Sequence, residues 1–587
     1  MTVVHLEALT GAHRRVLRQL LESLIFEGVL MPFQRKEQVY CIHGMDAEGK
    51  QVVYEFAARK RFTFGMLRLH DQPILRESRG VREEAVNVSL FLDEVFHQKS
   101  SLYAVQSSFY DELERTVVNE IFYREHRGLN PQKFDGISLA ELECKSEGHP
   151  YHPCFRSRIG FSEEDNLAYS PEYEPDIEVY WLAAMKEDVV WNLKLELEWN
   201  EFISTTISPS DEDRFKACLK ERNLNPDRYC YVPVHPWQWE RYLKPRCLEA
   251  VEQLRLILLG SSSIRYTPQQ SIRTLSCRSS TLSPDLKLSL HIMNTSSLRD
   301  LSIHSVAAAP AVSIWLQAVV DRDSYLKEEA KLIVLQELAG ISYVPAGGAA
   351  SGIWRESIHS YLDNGEEAAP FHVLMTRDAE GQPFIHAWVV QYGLEAWFRE
   401  WLRTNIIPVV HLLVARGIVL ESHAQNMIMV HRNGWPVRVA LRDFHEGVEY
   451  FAPFLTDSEL VPDFAAIHPA YEEGEYGDFF EMPTLASLQE MMIDALWFMN
   501  VGYFIMNIAD HYSIEESALW HIVVNELEAY SERHPELGPR LAALNLYTPD
   551  CEIEALAQKK LFGAVLLPSR RAVNPLYAVR GNKCDKN

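Results

Sequence analysis

The stretch MIMVHRNGWPVRVAL, residues 427–441, decides the fold prediction for the C-terminal half of the chain. Asn433-Gly434 is a residue pair that favours a two-residue type I′ turn, and strand-forming residues flank it on both sides. Because such a turn sets which residues face each other, the hairpin register can be predicted. The predicted cross-strand pairs are Arg432 with Trp435, Val430 with Val437, Ile428 with Val439, Asn426 with Leu441, and Ala424 with Asp443.

Polar residues cluster at the open end of this hairpin, in ESHAQN before it (421–426) and RDFHE after it (442–446). An Asn before a hairpin and an Asp-Phe after it is the layout by which protein kinases hold Mg²⁺ and nucleotide phosphates. Mg²⁺ prefers hard oxygen ligands, which the Asn426 amide and the Asp443 carboxylate supply. His445 stands where the kinase motif has Gly. The alternative is a hairpin end whose polar groups satisfy one another.

Composition limits the classes of partner. The 587 residues include 57 Lys+Arg and 82 Asp+Glu, giving a net charge of −25, and 47% are hydrophobic. These values predict an ordered globular chain, and at roughly 150 residues per domain the length predicts about three or four domains. The acidic balance argues against binding nucleic acid or an anionic membrane. It leaves open an anionic small-molecule ligand, because basic residues can gather locally.

Cysteine usage and the N-terminus predict a cytoplasmic protein. The nine cysteines form no Cys-x-x-Cys pair, which argues against a disulfide framework or a zinc knuckle. Residues 16–25 place apolar side chains at helical spacing and carry no secretory pattern. The longest apolar stretches, 306–320 and 406–420, are interrupted by polar residues or Pro, so neither is predicted to span a membrane.

The remaining secondary structure is read from periodicity and turn residues. Residues 1–140 mix helices with short strands, and strands alternate with helices from about 178 to 345. Residues 229–234 and the alternating segment 286–293 are predicted strands. The segment 345–352 is predicted to be a linker or flexible loop because of its Gly and Ala content. After about residue 390 the chain is predicted to be mostly helical.

Three more groups of polar residues are candidates for anion binding. Ser271 and Arg273 share one face of a predicted extended segment, with Lys287 on a neighbouring strand. Thr295 and Ser296 are candidate N-caps of the following helix, which would put Arg299 in its first turn, where a bound anion offsets the unfavourable dipole. His152, Arg156 and Arg158 follow Gly148-His149-Pro150. Structural ion pairs or a solvated basic face are the alternatives. P-loop, G-x-G-x-x-G and G-x-S-x-G motifs are missing.

Taken together and in this order, the motifs resemble the NRPS-independent siderophore synthetases, the IucA/IucC family that includes the aerobactin and achromobactin synthetases. The resemblance covers essentially the whole chain. The matching segments are 148–153 with Arg156, Arg158 and 160–161; 234–239; 271–275; Lys287; 294–296 with Arg299; 353–356; 423–426; and 443–444.

The resemblance implies an ATP- and Mg²⁺-dependent ligase that adenylates a carboxyl group of citrate, a citrate derivative or 2-oxoglutarate. An amine or alcohol then attacks the acyl adenylate, forming an amide or ester and releasing AMP and pyrophosphate. The implied catalytic residues are His423, Arg299 and Lys287. The implied ATP-binding residues are His152, Ser271, Arg273, Thr274, Lys287, Gln425, Asn426 and Asp443. Ser271, Arg299 and His423 would bind the carboxylate substrate, and Asn426 and Asp443 the metal.

The resemblance also implies an α+β fold shaped like a cupped hand, with a thumb (1–145), fingers with a central antiparallel sheet (146–385) and a mostly helical palm with the kinase-like hairpin (386–587). A homodimer is expected. Two other functions remain open. A kinase-like phosphotransferase would release ADP, and a non-catalytic binder of citrate or a siderophore would not turn over ATP.

Overall fold

The computed structural model describes residues 3–96, 105–130, 132–134, 136–145, 147–194, 196–563 and 570–584. The N-terminal helix Val3–Phe26 buries the apolar stripe expected from residues 16–25. It packs on the helix Ser107–Leu129 and on a six-stranded antiparallel sheet. Along that sheet the strands are Phe33–Lys36, Val39–Met45, Gln51–Lys60, Leu75–Ser78 and Val81–Glu84, with Leu67–Leu69 pairing on Gln51–Lys60.

An eight-stranded antiparallel sheet forms the centre of the described structure. Its strand order is Val189–Leu193, Glu337–Tyr343, Ser351–Arg355, Asp285–Leu288, Thr274–Cys277, Leu256–Pro268, Ile177–Met185 and Tyr229–Val234. The last of these is the strand predicted at 229–234. Side chains such as Trp181, Leu275, Leu286 and Trp354 fill the core on this sheet.

The C-terminal part is mostly helical around a small mixed sheet. In that sheet Ile333–Val334 runs parallel to Trp435–Leu441. The strand Trp435–Leu441 pairs in turn with Met427–Arg432, and Met427–Arg432 pairs with Glu367–Pro370.

Two-stranded pairs join Leu290–Asn294 to Ser297–Arg299, Ile418–Leu420 to Val448–Tyr450, and Asp550–Ile553 to Arg570–Val573. The main helices here are Ile303–Arg322, His386–Tyr392, Leu394–Trp401, Tyr503–Tyr512, Glu516–Arg533, Gly538–Leu544, Leu556–Phe562 and Pro575–Cys584.

The hairpin and its turn are confirmed, but its predicted register is wrong beyond the first pair. Asn433 and Gly434 have φ of 51° and 80°, as a type I′ turn requires, and Arg432 pairs with Trp435. His431 then pairs with Pro436 and Val430 with Arg438, which leaves Val437 as the extra residue of a bulge. Pro436 has no N–H for the ladder, and bulges accommodate such positions. The hairpin therefore pairs Met427, and not Asn426, with Leu441.

Two other local predictions are wrong. The alternating segment 286–293 is broken at Ser289 into Asp285–Leu288 and Leu290–Asn294, which lie in different sheets. Thr295 and Ser296 do not cap a helix; Thr295 has φ of 58° in the tight turn before Ser297–Arg299, so Arg299 lies on a strand. The apolar helix begins later, with Ser302 at its N-cap.

The predicted linker at 345–352 is a packed connection that leads into the strand Ser351–Arg355. A Cβ atom added at Gly348 would lie 2.3 Å from the carbonyl oxygen of Leu301, and Gly348 has φ of 92°. Glycine is required there because the two backbones touch, and not because the segment is loose.

Two described helical segments, Ile303–Arg322 and Leu485–Tyr512, are long and apolar enough to cross a membrane by length and composition. They are 67% and 78% buried inside the structure in those windows, as core helices are. The mixed α and β architecture is confirmed. The thumb, fingers and palm boundaries stay a prediction.

Candidate functional site

A cavity of about 650 Å³ lies where the central sheet, the open end of the hairpin and the C-terminal helices meet. The predicted residues that line it are Ser271, Arg273, Lys287, Arg299, His423, Gln425, Asn426 and Asp443. These residues come from five separate parts of the chain, yet they face one space. The fold therefore brings most of the predicted site together.

The turn 269–274 presents Ser271 and Arg273 to the cavity. It is closed by the Gln269 N–H donating to the Thr274 carbonyl at 2.7 Å and by the Thr274 N–H donating to Ser271 Oγ at 3.1 Å. Ile272 between them has φ of 70°, a strained value for a β-branched residue. Its side chain is buried with Phe161, Trp237, Leu290 and Ile292. This apolar anchor holds the strained turn, which is tight and not extended as predicted.

The hairpin end supplies the oxygen ligands. Asn426 Nδ2 donates to the Glu421 carbonyl at 3.0 Å, which orients the amide with its oxygen available. Asp443, at φ of 66°, accepts from Arg355 Nη1 at 2.9 Å, and Lys287 Nζ lies 3.4 Å from the same oxygen. Burial alone would raise the pKa of Asp443, but Lys287 and Arg355 hold it well below its usual range. Asp443 is therefore an anion at neutral pH.

Three buried cations form the basic wall of the cavity. Burial lowers the pKa of Lys287, with Asp443 opposing the shift, and burial lowers that of Arg273. Burial and the neighbouring Arg273 lower the pKa of Arg299 to about 10. The Nε atoms of Arg273 and Arg299 are buried and make no hydrogen bond within the described structure. Each guanidinium donates to one backbone carbonyl, Arg273 to that of Asp300 and Arg299 to that of Asn294. A buried donor without a partner is costly, and an anionic ligand would supply one for each Nε–H.

Two predicted ATP-binding residues do not line the cavity. His152 is fully buried, and burial lowers its pKa far below the usual value. Thr274 points its Oγ1 into the protein interior. His149, which the sequence analysis did not select, lines the cavity instead, and burial lowers its pKa to about 3. His149 Nδ1 accepts from the N–H groups of Tyr151 and His152, which fixes the ring.

The candidate anion contacts Arg156 and Arg158 are already paired. Arg156 Nε donates to Glu120 at 3.0 Å, and both arginines donate to Glu172 at 2.8 Å. Burial raises the pKa of Glu172, but the two arginines outweigh it and bring the pKa to about 2. Both arginines touch the cavity edge. Their main partners are nevertheless structural carboxylates, so the ion-pair alternative describes them better.

Arg355 lies in the matching segment 353–356, but sequence reasoning assigned it no role; in the structure it ties the hairpin to the central sheet. Its guanidinium bonds to Asp443 on one side and to Gln269 and Asp285 on the other, at 2.9, 3.0 and 2.6 Å. A smaller cavity of about 240 Å³ lies on the far side of this bridge. It is lined in part by the apolar residues Leu139, Leu335, Ile358 and Ile428. No local signal reveals this bridging role of Arg355, because its partners are 70 to 88 positions away.

An acidic wall, which the sequence did not predict either, forms another part of the lining of the larger cavity. We use this name for Glu421, Asp494 and Glu554, which line the cavity. The carboxylate of Asp494 accepts from the backbone N–H of Glu554 at 3.1 Å. Burial, with repulsion from Glu554 and Glu490, raises the pKa of Asp494 to about 8. With this pKa Asp494 is mostly protonated at neutral pH, so the negative charge that suits a cationic ligand comes from Glu421 and Glu554, the latter 3.7 Å from Lys559 Nζ.

The residues present fit a magnesium ion that arrives with a nucleotide. Among the described residues, no group of three or more His, Cys, Asp and Glu side chains is placed to hold a metal alone. Mg²⁺ commonly uses one or two protein oxygens together with phosphates and water, which matches Asn426 and Asp443. The donor set is therefore incomplete without a phosphate ligand.

Two family models match segments of this chain. A model described as the IucA / IucC family matches residues 138–376, and one described as ferric iron reductase FhuF-like transporter matches residues 395–574. The citryl-spermidine/3,4-dihydroxybenzoyl-citryl-spermidine:spermidine ligase of Bacillus anthracis is 40% identical, over 99% of this chain and 96% of that protein. An aerobactin synthase of Escherichia coli is 26% identical over 97% of both chains.

Solved structures give the same fold. The petrobactin biosynthesis protein AsbB from Bacillus anthracis str. Sterne superposes with a TM-score of 0.93 at 38% identity, covering 100% of both chains. The aerobactin synthetase IucC from a hypervirulent pathotype of Klebsiella pneumoniae has a TM-score of 0.83 at 23% identity, covering 98% of this chain and 99% of that one. At 23% identity, the likeness to IucC shows a shared fold and nothing more.

Proposed function

Since the chain belongs to the IucA/IucC family of siderophore-biosynthesis ligases, we propose that it uses ATP to adenylate a carboxyl group of citrate or a citrate derivative and joins that group to a polyamine. The observation that carries the proposal is the convergence, in one cavity, of a basic wall, an Asn–Asp pair and an acidic wall. The relative that is 40% identical is named for a reaction with spermidine. Cytoplasmic location and a homodimer remain parts of the proposal.

The chemistry explains why the cavity needs both a basic wall and fixed donors. A carboxylate is a poor electrophile, so its oxygen attacks the α-phosphorus of ATP and pyrophosphate leaves, giving an acyl adenylate. This step brings anions together, and preorganised cations offset their repulsion. In the proposal, Ser271, Arg273 and Lys287 bind the phosphates, and Arg299 and His423 hold the acid. Mg²⁺, when bound at Asn426 and Asp443, would neutralise further phosphate charge.

The nucleotide base is proposed to lie in the smaller cavity. A phosphate chain bound by Lys287, and by Asp443 through Mg²⁺, would end beside Arg355, and the 240 Å³ cavity opens beyond that residue. Its apolar side chains, among them Ile428 on the hairpin, suit a planar heterocycle. Gln425 and Asn426 then lie on the phosphate side, and His152 supports His149 from behind without touching ATP.

The amine is proposed to enter along the acidic wall. A polyamine carries several positive charges at neutral pH, and Glu421 and Glu554 offer negative charge, while the protonated Asp494 adds a polar group beside them. The unprotonated amine attacks the acyl carbon, AMP leaves with the electron pair of the C–O bond, and the proton lost from nitrogen passes to solvent. Glu446 also lines the cavity, and its Oε1 accepts a hydrogen bond from Ser305 Oγ at 2.9 Å.

The test is an adenylation assay with the purified chain, ATP, Mg²⁺ and a panel of citrate, citryl-amides and 2-oxoglutarate, with and without polyamines. We expect AMP and pyrophosphate to form only with the correct acid, and an amide of matching mass to form when the amine is added. Arg273→Ala is expected to lose about 10²-fold or more in kcat/KM, in line with loss of one charge-stabilising group. Failure of every acid to release AMP would remove the proposal.

The Asn426 and Asp443 pair is also the feature that favours a kinase-like phosphotransferase. The same assay separates the two functions, because phosphoryl transfer releases ADP and adenylation releases AMP. A non-catalytic binder of citrate or a siderophore would bind the acid with no ATP consumption at all.

A further inference from the structure

His445 links two buried groups that no motif brought together. Its Nδ1 lies 2.6 Å from Glu337 Oε1, and its Nε2 lies 3.2 Å from Lys287 Nζ. The side chains of Glu337, His445 and Lys287 are 1%, 2% and 9% exposed. Glu337 lies on the strand Glu337–Tyr343, His445 in the segment after the hairpin and Lys287 on the strand Asp285–Leu288. The hydrogen-bonded series therefore links three elements of the fold.

The donor and acceptor roles along this chain follow from chemistry. An ammonium group can only donate, so His445 Nε2 must accept from Lys287. The ring proton of the neutral imidazole then sits on Nδ1 and donates to Glu337, which fixes the tautomer and the ring orientation. The backbone of Glu337 is held, because its N–H donates to Ser313 Oγ at 2.8 Å. Its carboxylate is bonded through Oε1 to His445, and Oε2 has no hydrogen-bond partner among the described residues.

The consequence for Lys287 is a defined direction. One of its hydrogens points to His445, and Asp443 Oδ1 lies 3.4 Å away on another side. A lysine side chain is long and loses considerable rotamer freedom when it is fixed. Two acceptors from the segment after the hairpin, His445 and Asp443, hold the ammonium at the cavity wall and leave its remaining N–H for a ligand.

We propose that Glu337 and His445 are positioning residues that aim Lys287 at the ATP phosphates. The inference rests on the proposed function, in which Lys287 binds those phosphates. Without His445, the ammonium would have Asp443 as its nearest remaining partner and would draw closer to it. That contact would reduce phosphate binding and would also occupy a carboxylate needed for the metal.

A purely structural role for the Glu337–His445 pair predicts something different. Removing a buried hydrogen-bonded pair then lowers stability and kcat in general, and leaves the KM values of the three substrates in their original proportion. The positioning role predicts a selective rise in the KM for ATP. The chain offers a matched control in His411 and Asp323, another buried His–carboxylate pair at 3.0 Å that does not line the cavity.

The experiment measures KM for ATP, acid and amine, together with Tm, in six variants. His445→Asn keeps an N–H donor near Glu337, but its short side chain places no acceptor at the position of Nε2, and we expect the KM for ATP to rise about 10-fold with the other KM values within about 2-fold. Glu337→Leu should do the same. Glu337→Gln, whose amide oxygen still accepts from Nδ1–H, should stay within about 3-fold of the parent. Asp323→Asn should lower Tm only.

Lys287→Ala separates this inference from the proposed function. If Lys287→Ala leaves the KM for ATP unchanged, the phosphate-binding role of Lys287 fails. If Lys287→Ala raises it but His445→Asn and Glu337→Leu do not, the positioning inference fails alone. The double variant Lys287→Ala/His445→Asn should show no further rise beyond Lys287→Ala, because both changes remove the same interaction. An additive rise would also overturn the inference, and the His445→Asn arm remains informative if Glu337→Leu does not fold.

Discussion

The guanidinium of Arg442 forms a two-point ion pair with the carboxylate of Glu143, at 2.6 and 3.1 Å, with both side chains buried. Burial alone would raise the pKa of Glu143, yet Arg442 holds it below its usual value. The pair fixes the open end of the hairpin to the helix Leu139–Cys144. Arg442 also donates through Nε to the carbonyl of Gln425 at 2.8 Å, so the same group shapes the site.

Removal of this pair should cost considerable stability. Arg442→Met leaves Glu143 buried without its charged partner, and we expect the free energy of unfolding to fall by about 3–5 kcal/mol. The matched control is Lys244→Ala, which breaks an exposed pair with Glu240 and should change it by less than about 1 kcal/mol. Urea unfolding of both variants measures the difference. Equal effects would mean that the buried pair contributes no more than a surface one.

The sequence predicted those parts of the site that depend on local pattern. Asn433-Gly434 specifies its turn through φ values of two adjacent residues, so the hairpin could be placed. The register could not, because the bulge at Val437 depends on how Pro436 fits the ladder. Arg442 and Glu143 lie 299 positions apart, and His445 and Glu337 lie 108 apart. Such pairs follow only from the packing of sheets and helices, so no periodicity or spacing reveals them.

Substitution of Gly434, in the hairpin turn, by Ala should destabilise the fold more than the same change at Gly365, which has nearly the same φ. A Cβ at Gly434 would lie 2.0 Å from Trp388 Cδ1, in addition to the strain at its φ of 80°. Gly365 has φ of 79° with nothing within 4 Å of a Cβ, so Gly365→Ala measures the backbone strain alone, about 1–2 kcal/mol. We expect Gly434→Ala to lower the free energy of unfolding by about 1–3 kcal/mol more than Gly365→Ala does, because Trp388 must move. Equal midpoints in urea unfolding would contradict this.

Loss of the charge on Asp443 should abolish adenylation while the fold survives. Asp443→Asn keeps the size of the side chain, and Arg355 retains Asp285 and Gln269 as partners. We expect AMP formation to fall by about 10²-fold or more, since both a metal ligand and the partner of Lys287 are weakened. Circular dichroism and Tm check the fold. Activity within a few-fold of the parent, at saturating ATP and Mg²⁺, would exclude Asp443 as the metal ligand.

The acidic wall predicts an amine KM that depends on charge and salt. Glu554→Gln removes one negative charge from the cavity wall, and we expect the KM for a polyamine to rise about 3- to 10-fold while the KM for the acid stays constant. Raising salt should increase the polyamine KM of the parent more than that of the variant, because salt screens the attraction. Glu536→Gln, a change of the same type at an exposed carboxylate, is the control. No selective effect on the amine would remove this role for the acidic wall.

The same wall predicts that stability falls as pH rises. Burial, with Glu554 and Glu490 as like-charged neighbours, raises the pKa of Asp494 from 3.8 to about 8 in the folded chain. Burial likewise raises the pKa of Glu449 to about 7. The folded state therefore binds more protons than the unfolded state between about pH 4 and pH 8. The stability that these protonated groups contribute is fully present below the unfolded pKa and is lost as pH passes through the folded value.

Asp494→Asn tests this sign directly, because the amide keeps an oxygen for the Glu554 N–H and cannot ionise. We expect the Tm of the parent to fall between pH 6 and pH 8.5, and that of Asp494→Asn to fall less. At the alkaline end the variant should be more stable by about 1–3 kcal/mol, since one pKa unit corresponds to about 1.4 kcal/mol and solvent screens part of the shift. Parallel Tm curves, or a variant that is less stable at pH 8.5, would mean that Asp494 is charged in the folded chain at little cost. The acidic wall would then be better solvated than its burial indicates.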